Sequence, residues 1–155
     1  MTLHIDTRNT SLILDATPGK RLTLLHYGAR IRQRTDYSAL ADKHSVLPGG
    51  CSIAADRDND AYILDEARLM FGTLGRGDFR EPAAEFILPD GSSTTDFLVE
   101  GAELIEGKPQ MKGLPAAIAG EGVRTHIVTL ADKIARLRIR LYFTAYRDCD
   151  VVTQR

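Results

Sequence analysis

Between Leu137 and Ala145 apolar side chains recur at every second position: Leu137, Ile139, Leu141, Phe143 and Ala145 alternate with Arg136, Arg138, Arg140, Tyr142 and Thr144. Successive side chains of an extended chain point to opposite faces, so a period of two means a strand with one face buried and the other in water. Such a strand needs antiparallel neighbours and a second apolar layer over its buried face. Val123 to Leu130, rich in β-branched residues, supplies the nearest neighbour, with Ala131, Asp132 and Lys133 as the polar break of a hairpin.

The signature returns towards the N-terminus. Ser11 to Ala16, the turn residues Thr17, Pro18 and Gly19, and Arg21 to Tyr27 read as a strand, turn, strand unit with Leu22, Leu24 and His26 on one side. Phe86, Ile87 and Leu88 run into Pro89, Asp90 and Gly91, which suit a tight turn, and Thr94 to Val99 resumes an extended pattern, so another hairpin is expected. Short strands separated by regular turn signals predict a mainly β chain folded as an antiparallel sandwich. The exception is Tyr37 to Met70, where Asp60 is placed to cap one short helix through Ile63, Leu64, Ala67 and Leu69. A long excursion between strands is where function tends to concentrate. Gly107 to Gly122 shows little period and reads as a long ordered loop. The 155 residues make a single domain, long enough to bury roughly 68–70% of its unfolded surface.

The formal net charge of −1 gives no broad positive field, so neither nucleic acid nor an anionic membrane is an expected partner. The opening MTLHIDTRNT lacks the basic-then-apolar plan of an export signal, and no run reaches the roughly 18 apolar residues of a membrane helix; a cytoplasmic protein is expected. Cys51 and Cys149 suit a reducing compartment as separate small hydrophobes, with a disulfide between them as the alternative. His4, His26, His44 and His126 have no spacing that makes a metal site or a nucleophile and base pair. Gly49 and Gly50 belong to no phosphate-cradling motif. Asp56, Asp58 and Asp60 alternate as in a calcium loop but lack its glycine and closing glutamate, so no metal and no cofactor is expected. The absence of Trp removes the best platform for a sugar face. Arg136, Arg138 and Arg140 read as a solvated face, with docking of an acidic neighbour as the alternative.

One stretch, GRGDFREPAAEFILPDGSSTTDFL from Gly75 to Leu98, is too patterned for a linker. Its Arg76, Gly77 and Asp78 spell a cell-adhesion tripeptide, which without an export signal reads as chance. Structurally, Gly75 and Gly77 permit a tight path before Phe79 enters the sheet, with Asp78 and Arg80 pairing or bonding local backbone.

The segment GRGDFREPAAEFILPDGSSTTDFLVEGAELIEGKPQMKGLPA is similar to part of the N-terminal domain of bacterial α-galactosidases of glycoside hydrolase family 36. There a GxGDFRxPA run leads through an NGSxxTDF-like turn to a GKPxxxGLPA loop. LADKIARLRIRLYFTAYRDCDVVTQR resembles that family's strand pair ending in a D-V-I-T-R-like run, and NTSLIL and LLHYGARI fit its opening strands. The resemblance implies a β-sandwich of the supersandwich, galactose mutarotase-like type, which precedes a catalytic (β/α)8 barrel. The family's catalytic aspartates lie in that barrel. This chain is therefore expected to be a non-catalytic part of a retaining glycoside hydrolase acting on terminal α-galactosides such as melibiose and raffinose. It is also expected to stop before the sandwich is complete, with an open last strand that invites a second copy. The implied partners are the barrel, a homo-oligomer, and sugar only in the full-length assembly.

The family's sugar-bordering aspartate, contributed to a neighbouring subunit, maps onto Asp42 in SALADKHSV, and Arg57 is the nearest basic residue to the position of its arginine. Asp78 and Arg80 are assigned to a structural or barrel-interface turn. Arg136 departs from the family's usual glycine. Two other readings compete: a free-standing carbohydrate-binding module using Tyr37, Tyr62 and Phe71 as sugar platforms, and an adhesive protein using Arg76 to Asp78.

Overall fold

A computed structural model describes residues 1–16, 19–41, 54–110, 112–113, 115, 117 and 120–155. Strands β1 (Thr2–Asp6), β2 (Thr10–Asp15) and β3 (Thr23–Ala29) form an antiparallel sheet in the order β1-β2-β3. Strands β4 (Ala54–Asp56) and β5 (Asn59–Ile63) form a small hairpin, and β6 (Leu98–Glu106), β7 (Val123–Asp132), β8 (Leu137–Tyr146) and β9 (Val151–Gln154) follow one another across a second antiparallel sheet. The two larger sheets meet face to face. Ile5, Leu12 and Leu14 from the first pack with Val128, Leu130, Leu141 and Phe143 from the second, and Leu22 and Phe97 close the same core. At roughly 1.5–3 kcal/mol for each fully buried large apolar side chain, this seam is the main source of stability.

The outer faces are covered by connections. Val123, Thr125 and Ile127 point away from Val128 and the core, yet all three are buried. Gly107, Lys108 and Pro115 lie on this side: the Thr125 hydroxyl donates to the Gly107 carbonyl (2.7 Å), the Lys108 ammonium lies 5.6 Å from the centre of the Tyr146 ring, and Arg155 donates to the Pro115 carbonyl. On the first sheet the connection after β3 does the same, with the Ile31 amide donating to the Ser11 hydroxyl at 3.0 Å. One end of the sandwich is locked by Asp150, which adopts the left-handed conformation between β8 and β9 and accepts from the Thr7 hydroxyl (2.8 Å) and the Asn9 amide (2.6 Å) of the β1–β2 turn.

Four local expectations are corrected. The apolar run Ile63, Leu64, Ala67, Leu69 is not a helix: Asn59–Ile63 is strand β5, paired to β4 with Asp56 opposite Asn59, Leu64 to Glu66 turn, and Leu69 bridges to Thr23. A two-residue hairpin turn at Arg57 and Asp58 satisfies the local backbone without a helical nucleus. The only helical element of that region among the described residues is a single 3-10 turn, Ser38–Leu40. His26 does not share a face with Leu24. A bulge at Leu25 pairs Leu14 with Leu24 but Ile13 with His26, and one inserted residue flips every later side chain. Phe86 to Leu88 makes no strand: the Pro89-Asp90-Gly91 turn is closed by local bonds of Leu88 and of Asp90 with Ser92, and Leu98 onward pairs with β7 instead. Phe79 does not enter a sheet but stands in solvent.

Candidate functional site

Four charged residues of Gly75 to Leu98, Arg76, Asp78, Arg80 and Asp96, are held in ion pairs. Arg21, just before β3, is buried; its guanidinium donates to Asp96 Oδ1 (2.6 Å) and to the Ala55 carbonyl of β4 (3.1 Å). Arg76 meets the other oxygen of Asp96 at 3.2 Å. The Asp96 amide in turn donates to Asp132 Oδ2 (2.8 Å), while Asp132 Oδ1 accepts the Ile134 and Ala135 amides at 2.8 and 2.9 Å. Burial by itself would raise the Asp132 carboxyl, but the amides of Asp96, Ala135 and Ile134 outweigh it and hold the group below its ordinary 3.8. With three fixed amide donors this carboxylate is a structural tie between the approach to β6 and the β7–β8 turn.

Asp78 and Arg80 form a second, tighter pair. Arg80 donates through Nε to Oδ1 (2.8 Å), through NH2 to Oδ2 (3.0 Å) and through its own amide to Oδ1 (3.2 Å); NH2 also reaches the Leu64 carbonyl at 2.7 Å. Asp78 is only 8% exposed, and although burial pushes its carboxyl up, the bonds from Arg80 bring it below the usual range. Gly75 and Gly77 take left-handed φ values of 95° and 86°, and a Cβ on Gly75 would lie 2.4 Å from the Thr94 hydroxyl oxygen. The adhesion reading needs Asp78 to be accessible, and it is not.

The sugar-binding candidates fare differently. Asp42 lies outside the described residues, as do His44, Gly49, Gly50 and Cys51. Arg57 is exposed in the β4–β5 turn, where the neighbouring Asp58 amide donates to Asp56. Tyr37 and Tyr62 are buried, and Phe71 packs edge-on against Phe97 at 5.8 Å between ring centres. Tyr37 and Tyr62, two of the rings named as sugar platforms, are therefore enclosed within the protein, and Phe71 is half-buried. Burial is also the main reason that the Tyr62 hydroxyl titrates above its usual value. Among the described residues no three His, Cys, Asp or Glu side chains converge on a point where a metal could sit.

Sequence reasoning missed one cluster. His4 Nε2 contacts Asp6 (2.7 Å) and the Ser11 hydroxyl (3.2 Å), and Nδ1 contacts the Tyr37 hydroxyl, which accepts the Arg34 amide at 2.9 Å. The signal was available in β1, where His4 and Asp6 share a face and Ser11 stands opposite Asp6. The arrangement resembles a triad only in composition. Aspartate and serine meet the same ring nitrogen, so no proton can pass from hydroxyl through imidazole to carboxylate. Its effect is to pin the connection after β3 onto the first sheet.

This architecture defines an antiparallel β-sandwich domain whose charges tie its loops together. The chain belongs to the glycosyl hydrolase family 36 N-terminal domain, whose model matches residues 20–155. It is 28% identical over 153 residues to α-galactosidase Mel36A of Lactobacillus acidophilus, covering 97% of this chain and 20% of that protein. It is 31% identical over 155 residues to the bifunctional α-galactosidase/sucrose kinase AgaSK of Mediterraneibacter gnavus, covering 99% of this chain and 16% of that one. A crystal structure of a variant of α-galactosidase AgaA from Geobacillus stearothermophilus with stachyose superposes at a TM-score of 0.88 and 26% identity, covering 99% of this chain and 21% of that chain. The chain thus spans about a fifth of the length of these relatives, which are larger α-galactosidases with a catalytic domain. Among the described residues no helix is long and apolar enough to cross a membrane.

Proposed function

We propose that the chain is the non-catalytic N-terminal domain of a cytoplasmic retaining α-galactosidase, supporting a catalytic barrel and a homo-oligomer. The observation that carries this reading is the match itself: nearly the whole chain aligns with only a fifth of enzymes that are α-galactosidases. The ion pairs of the described residues support it, because Arg21, Asp96, Asp132, Asp78 and Arg80 are all engaged in holding turns rather than turned towards a common ligand. Hydrolysis of substrates such as melibiose and raffinose belongs to the longer polypeptide. In that assembly Asp42, with Arg57 beside it, borders the sugar held by a neighbouring subunit, where a carboxylate accepts hydrogen bonds from sugar hydroxyls. Asp78 and Arg80 form a rigid turn close to the barrel.

The test is to read the source gene past Arg155 and assay its product. Hydrolysis of p-nitrophenyl α-galactoside and raffinose by the longer product, with none by the 155-residue chain, is expected. Turnover by the short chain alone, or a longer product without α-galactosidase activity, overturns the reading. An Asp42→Ala full-length enzyme is expected to show a raised KM for raffinose with kcat nearly retained; unchanged constants remove Asp42 from the sugar site.

A further inference from the structure

Among the described residues the buried threonines hold their hydroxyls in hydrogen bonds, with one exception. Thr7 donates to Asp150, Thr23 to the Asp15 carbonyl (3.1 Å) and Thr125 to the Gly107 carbonyl, and the Thr144 hydroxyl meets that of Thr125 at 3.0 Å. Thr95 is the exception: it is 1% exposed, and its hydroxyl oxygen has no hydrogen-bond partner among the described residues. The backbone beside it is satisfied. The Thr95 amide donates to the Leu74 carbonyl (3.3 Å), and the Thr95 carbonyl accepts the Thr73 hydroxyl. A buried hydroxyl without a partner is costly, so its surroundings decide what it bonds.

Thr95 lines a cavity of about 20 Å³ together with Arg21, Thr73, Arg76, Asp96 and Leu130. Roughly 10–15 Å³ is enough for one water molecule, provided that the walls offer it about two to four polar partners. Volume and partners are both present. Asp96 takes Arg21 on one oxygen (2.6 Å) and Arg76 on the other (3.2 Å), and a carboxylate keeps lone pairs beyond those two. Thr73 has given its hydroxyl proton to the Thr95 carbonyl, so its oxygen is free to accept. The charges select what enters. A bare cation is repelled by the two guanidinium groups and an anion by the carboxylate, which leaves a neutral molecule that both donates and accepts.

We propose that this cavity is a binding site for one ordered water molecule, which accepts a hydrogen bond from the Thr95 hydroxyl and donates one to the Asp96 carboxylate. The water completes a network that joins the connection from Gly72 to Phe97 to the buried Arg21 before β3. It stands independently of the α-galactosidase reading, because it depends only on the cavity and its walls.

A high-resolution crystal structure of the full-length protein tests it. A solvent oxygen within hydrogen-bond reach of both Thr95 Oγ1 and the Asp96 carboxylate is expected. Thr95→Val keeps the shape of the side chain and removes the hydroxyl. It is expected to expel the water and to speed amide hydrogen exchange over residues 94–97 about tenfold. Thr95→Ser retains the hydroxyl and is expected to retain the water, which keeps the test open if the valine variant does not fold. Absence of the oxygen from the unmodified protein overturns the proposal. So does slower exchange in Thr95→Val, because removing a hydroxyl that truly lacks a partner stabilises the fold. An oxygen that stays in place in Thr95→Val overturns it as well, since other groups would then be holding it.

Discussion

The β7–β8 ladder and the connection from Gly72 to Phe97 are of comparable length and are held in opposite ways. Along β7 and β8 ten residue pairs face one another in unbroken register, and the inward side chains meet the first sheet in an apolar seam. Gly72 to Phe97 contains no strand or helix; it is fixed by Asp78 with Arg80, Asp90 with Ser92, Asp96 with Arg21 and Arg76, and the Thr73 hydroxyl on the Thr95 carbonyl at 3.0 Å. The first region depends on area, which tolerates small changes in shape. The second depends on individual donors and on glycines that admit close approach, so single atoms matter more there.

The largest expected effect tests the first half of that contrast. Phe143→Ala empties a site only 1% exposed at the centre of the seam and should cost about 3–5 kcal/mol, read as a lower urea midpoint. Next comes a pair of substitutions that separates strain from crowding within the connection. Gly75→Ala combines a left-handed φ with a Cβ 2.4 Å from Thr94 and should cost about 2–3 kcal/mol, whereas Gly91→Ala has left-handed φ but nothing within 4 Å and should cost about 1 kcal/mol. Equal losses would mean that crowding at Gly75 is relieved by movement and that the connection is softer than the bonds suggest.

Acid should separate the regions further. Asp78, Asp132 and Asp150 titrate below 3.8 in the folded protein, so their stabilisation is complete above the unfolded value and is lost as pH falls through the folded ones. His126, lowered first by burial and then by Arg124, takes up its proton more readily when unfolded, so its contribution begins to erode below about pH 6.5. Urea midpoints measured from pH 7 to 3 should fall in two stages; His126→Gln should remove the upper stage and Asp132→Asn should shallow the lower. The smallest effect concerns the β7–β8 turn. Arg136 sits at a φ of 56°, the left-handed region where a side chain is strained and a glycine is not. Arg136→Gly should raise the midpoint by an amount worth about 0.5–1 kcal/mol, and a loss instead would show that its side chain makes a contact of value.

Much of the fold was legible because alternation is a local signal. Leu137 to Ala145 announces both a strand and its buried face, and Val123 to Asp132 completes the hairpin in that register. The helix expected over Ile63 to Leu69 failed because four apolar residues at uneven spacing fit either period, and the β4–β5 pairing decided between them. Of the candidate site, the Asp78–Arg80 pair was readable from its spacing of two residues. Arg21 with Asp96, and His4 with Tyr37, were not, because those partners are distant in sequence and meet only after the sheets have packed.

By itself, the sequence determined the β7–β8 hairpin, the tight turns at Gly75 and Gly91, and the membership of the chain in a family of α-galactosidase N-terminal domains, since each depends on neighbouring residues or on the order of motifs. The tertiary structure alone decided which charges are paired, that Tyr37 and Tyr62 face inwards, and that Phe79, Ile87 and Ile134 are left exposed. Burial and partnership are properties of what lies across the fold from a residue, and no local pattern encodes them.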